Sequence, residues 1–265
     1  MNGAPLDVST YLSEALLSQK RAVVLTSATM TVQGDFRHLR ERLGLEEPSE
    51  LRLGSPFDYE RAALLCVPTD VPEPSAPAYA DALRDLARAA DGRTMALFTS
   101  HASLRATAFA LQARLRGDGI GVLAQGVHGA PPQCFQQEPR SVLLGAASFW
   151  EGVDIGNTAL KVLVLARLPF NVPTEPIFAA RSELYEKPFF QYAAPQAVLR
   201  FRQGFGRLIR SKSDRGAVVV LDGRIVSKSY GAWFLNSLPP TARFRGPLAQ
   251  TAARVGEWLR AAETP

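Results

Sequence analysis

The polar residues best suited to chemistry lie in the stretch FRQGFGRLIRSKSD, residues 201–214. Gln203, Arg207 and Arg210 are spaced four and three residues apart, which places them one turn apart on one side of a predicted helix. Guanidinium groups present forked N–H donors, so these three side chains suit a polyanion such as a triphosphate. A solvated helical face that pairs with Asp214 is the alternative interpretation, and the stretch alone leaves it open.

Two glycines, Gly204 and Gly206, interrupt this predicted helix, although glycine in a helix interior costs about 1 kcal/mol relative to alanine. They flank the apolar and arginine-bearing sides, where a missing side chain lets another backbone or a ligand approach closely. A dinucleotide-binding fingerprint is excluded, because Ile209 occupies the position of its third glycine and the preceding residues have a helical pattern.

The elements that must position these residues follow from apolar runs that alternate with amphipathic stretches. The runs are continuous rather than alternating, which predicts strands buried on both faces of a parallel sheet. The predicted strands cover residues 22–30, 94–100, 141–149, 160–170 and 216–224. The predicted helices cover residues 78–90, 102–116, 196–210, 228–237 and 249–262. We therefore predict an α/β fold, a mostly parallel sheet flanked by helices on both faces.

Residues 1–265 are interpreted as one domain with two proline-rich segments. Residues 67–79 are predicted to form a loop or a subdomain hinge. Residues 168–190 are predicted to be an insertion that follows a buried strand, at the carboxyl edge where open α/β sheets bind ligands.

Composition limits the classes of function that are possible. The formal charge of +5 makes a nucleic-acid partner plausible, although a bias in genomic base composition would explain the arginine content equally well. No apolar run is long enough to span a membrane and the first residues lack a signal-peptide pattern, so we expect a cytoplasmic protein with no membrane partner. Cys66 and Cys134 are expected to be structural, because two cysteines and three histidines suit neither a disulfide framework nor a metal centre.

The block QGFGRLIR, residues 203–210, resembles motif VI of superfamily 2 helicases in the form typical of the DinG/XPD-like branch. Other blocks resemble that family in the same order along nearly the whole chain. They are VVLTSATMT (23–31, motif III), GSPFDY (54–59), LFTSHASLRATAFAL (97–111, motif IV), SFWEGVDI (148–155, motif V), LARLPFNVPTEPIF (165–178) and VVVLDGRI (218–225). The resemblance implies a RecA-like fold.

The sequence lacks the parts that such a motor uses to hold nucleotide phosphates and magnesium. It contains no Gly-Lys dipeptide for a Walker A loop, and GVLAQGVH (121–128) has only the glycine spacing. It has no Asp-Glu pair for an acidic box, and two cysteines cannot supply a four-cysteine iron–sulfur cluster. The resemblance therefore implies the second motor domain without the first, which would bind most of the ATP and Mg²⁺.

In the resembled family, the two motif VI arginines reach the γ-phosphate across the interdomain cleft. That role maps to Arg207 and Arg210, with Gln203 organising the site. The geometry requires both guanidinium groups to face a gap at the carboxyl edge of the sheet, which the other motor half closes.

The resemblance also assigns nucleotide contacts to motif V, at Glu151, Gly152 and Asp154. Asp154 would contact the ribose or the motif VI arginines, whereas the structural alternative is a helix N-cap. The chain continues as VDIGN where the family has VD-I/V-P-G, so the conformation of the following loop is left open.

Ser100 and His101 lie where relatives contact the nucleic-acid backbone, and a helix cap at Ser100 is an equally good explanation. Ser27 and Thr29 resemble the motif that couples hydrolysis to strand movement, although both hydroxyls also suit local backbone bonds.

Tyr59 and Phe170 are the aromatic residues that we assign to stacking on single-stranded DNA, because each lies in a proline-flanked loop. Core packing is the alternative for both.

The resemblance implies the second motor domain of an ATP-dependent DNA helicase that moves 5′ to 3′ on single-stranded DNA in a repair or replication-restart setting. Its partners would be single-stranded DNA and the N-terminal RecA-like motor domain, and alone it would not hydrolyse ATP. The alternative is a non-enzymatic RecA-like module that binds nucleic acid or a partner protein.

Overall fold

A computed structural model of the chain describes residues 5–71, 73–129, 131–138, 140–150 and 160–261. Within these ranges, seven strands form one sheet in the order β3-β4-β2-β5-β6-β1-β7, and every strand pairing is parallel. The strands are β1 Ala63–Pro68, β2 Thr94–Leu97, β3 Gly121–Ala124, β4 Ser141–Gly145, β5 Val162–Leu165, β6 Gly216–Val220 and β7 Ala242–Gly246.

Helices connect the strands and cover both faces of the sheet. They are α1 Ser9–Leu12, α2 Arg37–Leu43, α3 Tyr59–Ala62, α4 Ala76–Ala89, α5 His101–Arg114, α6 Pro131–Gln137, α7 Pro176–Ser182, α8 Ala194–Phe205, α9 Arg224–Ser227, α10 Gly231–Ser237 and α11 Leu248–Arg260. Two short π-helical turns, Ser13–Leu17 and Phe189–Ala193, and a 3-10 turn, Ala147–Phe149, complete the regular structure in the described ranges.

The core consists of two apolar layers, one on each side of the sheet. Successive strand residues point to opposite faces, so Leu64 and Cys66 of β1 belong to the layer under α4, α5 and α11, whereas Leu65 belongs to the layer under α8 and α10. Burial on both faces explains the continuous apolar runs of β2, β4, β5 and β6. The predicted α/β fold with a parallel sheet and two helical layers is confirmed.

Three strands had no strong sequence signal. Both β3 and β7 are edge strands, and each is only partly buried, with Ala124 the one buried residue of β3. An edge strand has one neighbour instead of two, so its sequence needs fewer apolar residues. The remaining strand, β1, is completely buried, and residues 69–75 connect it to α4, so the two ends of the predicted loop at 67–79 belong to β1 and α4.

The predicted strand at residues 22–30 is wrong. The described residues there form no strand, and Val23, Val24 and Leu25 are 37%, 85% and 42% exposed. An apolar run becomes a buried strand only when another strand offers its edge and helices cover its faces. Among the described residues this run pairs with no strand, and β3 and β7 form the edges of the sheet.

Two predicted helices have other boundaries. Helix α8 ends at Phe205 instead of residue 210, because the Asp214 carboxylate accepts hydrogen bonds from the Arg210 and Ser211 backbone amides, both at 2.8 Å. The predicted helix at 228–237 is replaced by α9 and α10, which are separated by a turn at Lys228–Tyr230. Residues 168–190 contain α7, so this segment has regular structure of its own.

Cys66 is buried and Cys134 is half-buried, and both thiols are free of disulfides. Burial raises the pKa of the Cys66 thiol to about 12, so this thiol stays protonated and is a poor nucleophile. The geometry agrees with a structural role for Cys66.

A substitution at Gly231 tests the close packing at the start of α10. A Cβ at this position would lie 2.0 Å from the Ile225 carbonyl oxygen. We expect Gly231→Ala to lower the free energy of unfolding by about 1–3 kcal/mol, the usual cost of overpacking. Gly223→Ala is the matched control, since a Cβ at Gly223 would meet nothing within 4 Å. Urea denaturation of both variants measures the difference, and equal stabilities would contradict this account of the α9–α10 turn.

Candidate functional site

The three residues Gln203, Arg207 and Arg210 line one open cavity of about 430 Å³ beside the end of α8. The other lining residues are Ala28, Thr29, Tyr59, Trp150, Arg202, Phe205, Gly206, Leu238 and Pro239. The convergence predicted for the three donor side chains is therefore present. Three arginines and a glutamine amide give the cavity the chemistry of an anion site.

The convergence does not depend on a continuous helix. Arg207 and Arg210 lie beyond α8, in a turn where the Arg207 amide donates to the Gly204 carbonyl at 3.1 Å. The Arg207 Nη2 donates to the Trp150 carbonyl at 3.3 Å, which directs this half-buried side chain towards the end of α8. Arg210 is exposed.

The cavity is not confined to the carboxyl edge of the sheet, where the guanidinium groups were expected. Trp150 of its wall follows β4 at that edge, whereas other wall residues precede strands. Helix α8 returns across the face of the sheet, so Leu208 packs at the amino end of β6, 2.6 Å from where a Cβ of Gly216 would be. Tyr59 precedes β1 and Pro239 precedes β7, so the cavity wall also comes from the amino ends of strands.

Gly204 has the packing reason that its position in a helix requires. A Cβ there would lie 3.1 Å from the Trp150 ring, which is buried and whose Nε1 donates to the Phe98 carbonyl at 2.9 Å. Gly206 has no such neighbour, because a Cβ there would meet only the Arg202 and Gln203 carbonyls at 3.5 Å. The predicted close approach is therefore found at Gly204 and not at Gly206.

Arg202 is a site residue that sequence reasoning missed. Its Nη1 donates to the Thr31 carbonyl at 2.6 Å, and its Nη2 donates to the Ala28 carbonyl at 3.1 Å. Burial, and secondarily the charge of Arg52, lowers the pKa of Arg202. The fork of Arg202 thus fixes residues 28–31 against α8, and no motif in the sequence signalled this contact.

Ser27 and Thr29 bond to each other, since the Ser27 Oγ accepts from the Thr29 amide at 3.2 Å. This is the local bonding that the sequence left as an alternative. Thr29 also lines the arginine cavity, whereas Ser27 is exposed outside it.

Glu151, Gly152 and Asp154, the predicted nucleotide contacts of motif V, lie outside the described residues. The chain before them is held by Gln125, whose Oε1 accepts from the Ala146 amide at 2.7 Å and whose Nε2 donates to Ser148 at 2.9 Å.

Ser100 and His101 are both exposed and follow β2 at the carboxyl edge of the sheet. The Ser100 Oγ accepts a hydrogen bond from the Ser103 amide at 3.4 Å, so Ser100 is the N-cap of α5. The structural alternative for Ser100 is thus observed, and its exposed position leaves the predicted DNA contact as a proposal.

Phe170 follows β5 at the carboxyl edge and is half-buried in a cluster of rings. It stacks on Phe189 with centroids 5.6 Å apart and meets Tyr230 and Phe234 edge-on at 5.5 and 5.7 Å. Phe189 is 38% exposed, so the cluster presents an aromatic surface to solvent.

Asp222 is the buried charge that organises this part of the carboxyl edge. Its carboxylate accepts from the Leu168 amide at 2.8 Å and from Arg224 Nη2 at 2.6 Å, and Arg167 Nε lies 3.8 Å away. The Arg224 guanidinium also lies 5.5 Å from the centre of the Phe170 ring. Burial alone would raise the pKa of Asp222, but the bonds from Arg224 and Leu168 and the charge of Arg224 outweigh it, so the pKa is lowered.

Across the part of the chain that the structure describes, no group of three or more His, Cys, Asp or Glu residues could hold a metal ion. In the same residues, no helix is long and apolar enough to cross a membrane.

The parallel sheet with helices on both faces and an arginine cavity beside α8 define a RecA-like α/β domain. The chain belongs to the family described as "Helicase C-terminal domain", whose sequence profile matches residues 83–241, more than half of its length.

Relatives and solved structures agree with this assignment. The chain is 39% identical over 251 residues to the "ATP-dependent DNA helicase YoaA" of Escherichia coli, covering 91% of this chain and 39% of that protein. It is 37% identical over 255 residues to the "3'-5' exonuclease DinG" of Bacillus subtilis, covering 90% of this chain and 27% of that protein. The chain therefore spans well under half of the length of these relatives. The structure titled "XPD_Helicase" shares its fold with a TM-score of 0.63 at 16% identity, covering 90% of this chain and 45% of that one. The resemblance to the DinG/XPD-like branch is confirmed.

Asp222 gives a prediction about stability and pH. Its lowered pKa stabilises the fold fully above the ordinary carboxyl pKa, and this stabilisation disappears as the pH falls through the lowered value. We expect Asp222→Asn to lower the free energy of unfolding by about 1–3 kcal/mol at pH 7, because its charge-assisted bonds weaken. The difference from the wild type should shrink below about pH 4.

Urea denaturation at several pH values makes this measurement. Glu257→Gln is the control, because Glu257 forms an exposed pair with Arg254 that should contribute less than about 1 kcal/mol. A stability difference for Asp222→Asn that stays constant down to pH 3 would contradict the assignment.

Proposed function

We propose that the chain is the second motor domain of an ATP-dependent DNA helicase that moves 5′ to 3′ on single-stranded DNA in a repair setting. The observation that carries the proposal is the presence of Gln203, Arg207 and Arg210 in one open cavity of a helicase C-terminal domain. Relatives named as ATP-dependent DNA helicases support it.

The arginine cavity fits the phosphates of ATP but not the magnesium ion. Its polar lining is cationic or neutral, and the described residues include no group of three or more His, Cys, Asp or Glu that could hold a metal ion. Mg²⁺ would neutralise charge on the phosphates when it is bound by the other motor domain. This chain would supply the donors that meet the phosphates from the opposite side.

Arg207 and Arg210 act as arginine fingers in this proposal. Charge develops on the transferred phosphoryl group and its leaving oxygen, and donors held in place before the reaction stabilise that charge at no reorganisation cost. The bond to the Trp150 carbonyl restrains Arg207, while Gln203 offers a neutral amide beside it. Catalysis then depends on the other motor domain closing over the cavity. We assign Glu151, Gly152 and Asp154 to nucleotide contacts on the basis of the family pattern alone.

The DNA track is proposed for the carboxyl edge of the sheet. Ser100 and His101 lie at the end of β2, where the exposed start of α5 suits a phosphate. Phe170 and the exposed Phe189 that stacks on it suit a base. Ser27 and Thr29 are proposed to couple the two functions, because Arg202 ties their segment to α8, which leads into the arginine-bearing turn.

The arginine fingers give the central prediction. In the protein that carries both motor halves, Arg207→Ala or Arg210→Ala should lower kcat for ATP hydrolysis by about 10³-fold or more, the contribution of an arginine finger. Arg254→Ala is the control, because this exposed side chain pairs with Glu257 on α11. A steady-state ATPase assay makes the measurement, and near-wild-type turnover in both finger variants would refute the proposal.

Reconstitution separates the motor from the alternative, a non-enzymatic module. This chain alone should not hydrolyse ATP, and mixing it with a separate first motor domain should restore DNA-stimulated hydrolysis. If the mixture does not hydrolyse ATP, or if the chain alone hydrolyses ATP steadily, a different function is favoured.

Ser100 permits a test of the DNA track that preserves the helix cap. Aspartate is also a good N-cap, so Ser100→Asp should leave α5 intact while its charge repels a phosphate. We expect about tenfold weaker binding to a fluorescent oligothymidylate, together with a smaller salt dependence. Ser75→Asp is the matched control, because Ser75 caps α4 in the same way. Equal effects of the two substitutions on DNA affinity would contradict a specific contact at Ser100.

A further inference from the structure

Tyr59 lies in the wall of the arginine cavity, together with Arg207 and Arg210. It is the first residue of α3, directly before β1, and therefore lies near the amino end of that strand. The proposed DNA contacts at Ser100 and Phe170 follow strands at their carboxyl ends. A strand rises about 3.3 Å per residue, so the length of a strand separates Tyr59 from the carboxyl edge.

The Tyr59 ring is supported on two sides. Its centroid lies 5.6 Å from that of Phe205, the last residue of α8, with the rings tilted by 43°. Phe57 meets it edge-on at 5.9 Å. Asp58 caps the short helix by accepting from the Arg61 amide at 3.2 Å. These contacts hold the half-buried ring in place, and the part that faces the cavity stays accessible.

The cavity lining combines two chemically different kinds of side chain. Tyr59, Leu238 and Pro239 supply an aromatic and apolar wall, whereas the arginines and Gln203 supply cationic and amide donors. A nucleoside triphosphate needs both kinds of partner, since it has a flat base at one end and a polyanion at the other. The cavity volume of about 430 Å³ lies within the usual range for small-molecule sites, about 300–1,000 Å³.

We propose that Tyr59 is a stacking platform for the base of the nucleoside triphosphate whose phosphates meet Arg207 and Arg210. This inference rests on the proposed function, and it replaces the sequence-based assignment of Tyr59 to single-stranded DNA. Stacking accepts every base, because each base has a π-face. Tyr59 therefore contributes affinity for purine triphosphates, whose bases cover more of the ring, without distinguishing ATP from GTP.

The test uses the protein that carries both motor halves, with Tyr59→Leu and Tyr59→Phe. Leucine keeps apolar packing against Phe205 but removes the π-face, whereas phenylalanine keeps the ring and removes the hydroxyl. Phe109→Leu is the control, because Phe109 is a 79% exposed aromatic residue outside the cavity. The measurements are KM and kcat for ATP, the inhibition constant of tripolyphosphate, and the dissociation constant for an oligothymidylate without nucleotide.

We expect Tyr59→Leu to raise KM for ATP about tenfold, the effect of losing one stacked base. Its kcat, the inhibition constant of tripolyphosphate and the DNA affinity should stay within about twofold of the wild type. Tyr59→Phe and Phe109→Leu should leave all four quantities unchanged.

Three results would overturn the inference. They are an unchanged KM in Tyr59→Leu, a tripolyphosphate inhibition constant that rises as much as KM, and a loss of DNA affinity with KM unchanged. A tripolyphosphate inhibition constant that rises as much as KM would indicate a collapsed cavity. A loss of DNA affinity with KM unchanged would indicate that Tyr59 contacts single-stranded DNA. Failure of this inference is distinguishable from failure of the proposed function, because Tyr59→Leu is tested through KM whereas Arg207→Ala is tested through kcat.

Discussion

The contact between Trp150 and Gly204 joins the sheet to the arginine cavity. The indole Nε1 donates to the Phe98 carbonyl just after β2, and the ring lies 3.1 Å from where a Cβ of Gly204 in α8 would be. The Trp150 backbone carbonyl accepts a hydrogen bond from Arg207. One buried residue thus fixes the end of a strand, the distance to a helix and the direction of a guanidinium group. A glycine inside a helix is tolerated because this close approach compensates for its low helix propensity.

A second buried group, Asp222, positions residues at the carboxyl edge of the sheet. It binds Arg224 and the Leu168 amide within the buried end of the sheet, and Arg224 in turn lies over Phe170. The molecule therefore has two sites with different chemistry, an arginine cavity beside α8 and an aromatic and hydroxyl surface at the strand ends. The parallel sheet connects the two.

The segment at residues 22–31 combines an exposed apolar part with a part that is bonded to α8. Its upstream part has the composition of a central strand, yet Val24 is largely exposed and unpaired in any described strand. Its downstream part is ordered by Arg202, which binds the Ala28 and Thr31 carbonyls.

Local sequence determined the α/β class, four of the buried strands and the residues of the arginine cavity. Burial on both faces requires continuous apolar runs, and a cationic cavity requires arginine side chains. It did not determine where α8 ends, since the bonds from the Arg210 and Ser211 amides to Asp214 compete with the helix. It also missed the tether at Arg202 and the presence of Tyr59 in the arginine cavity, because both depend on residues far apart in the chain. Only the tertiary structure decided that Tyr59 shares a cavity with Arg207, because α8 must cross the face of the sheet before its last turn reaches the residues that precede β1.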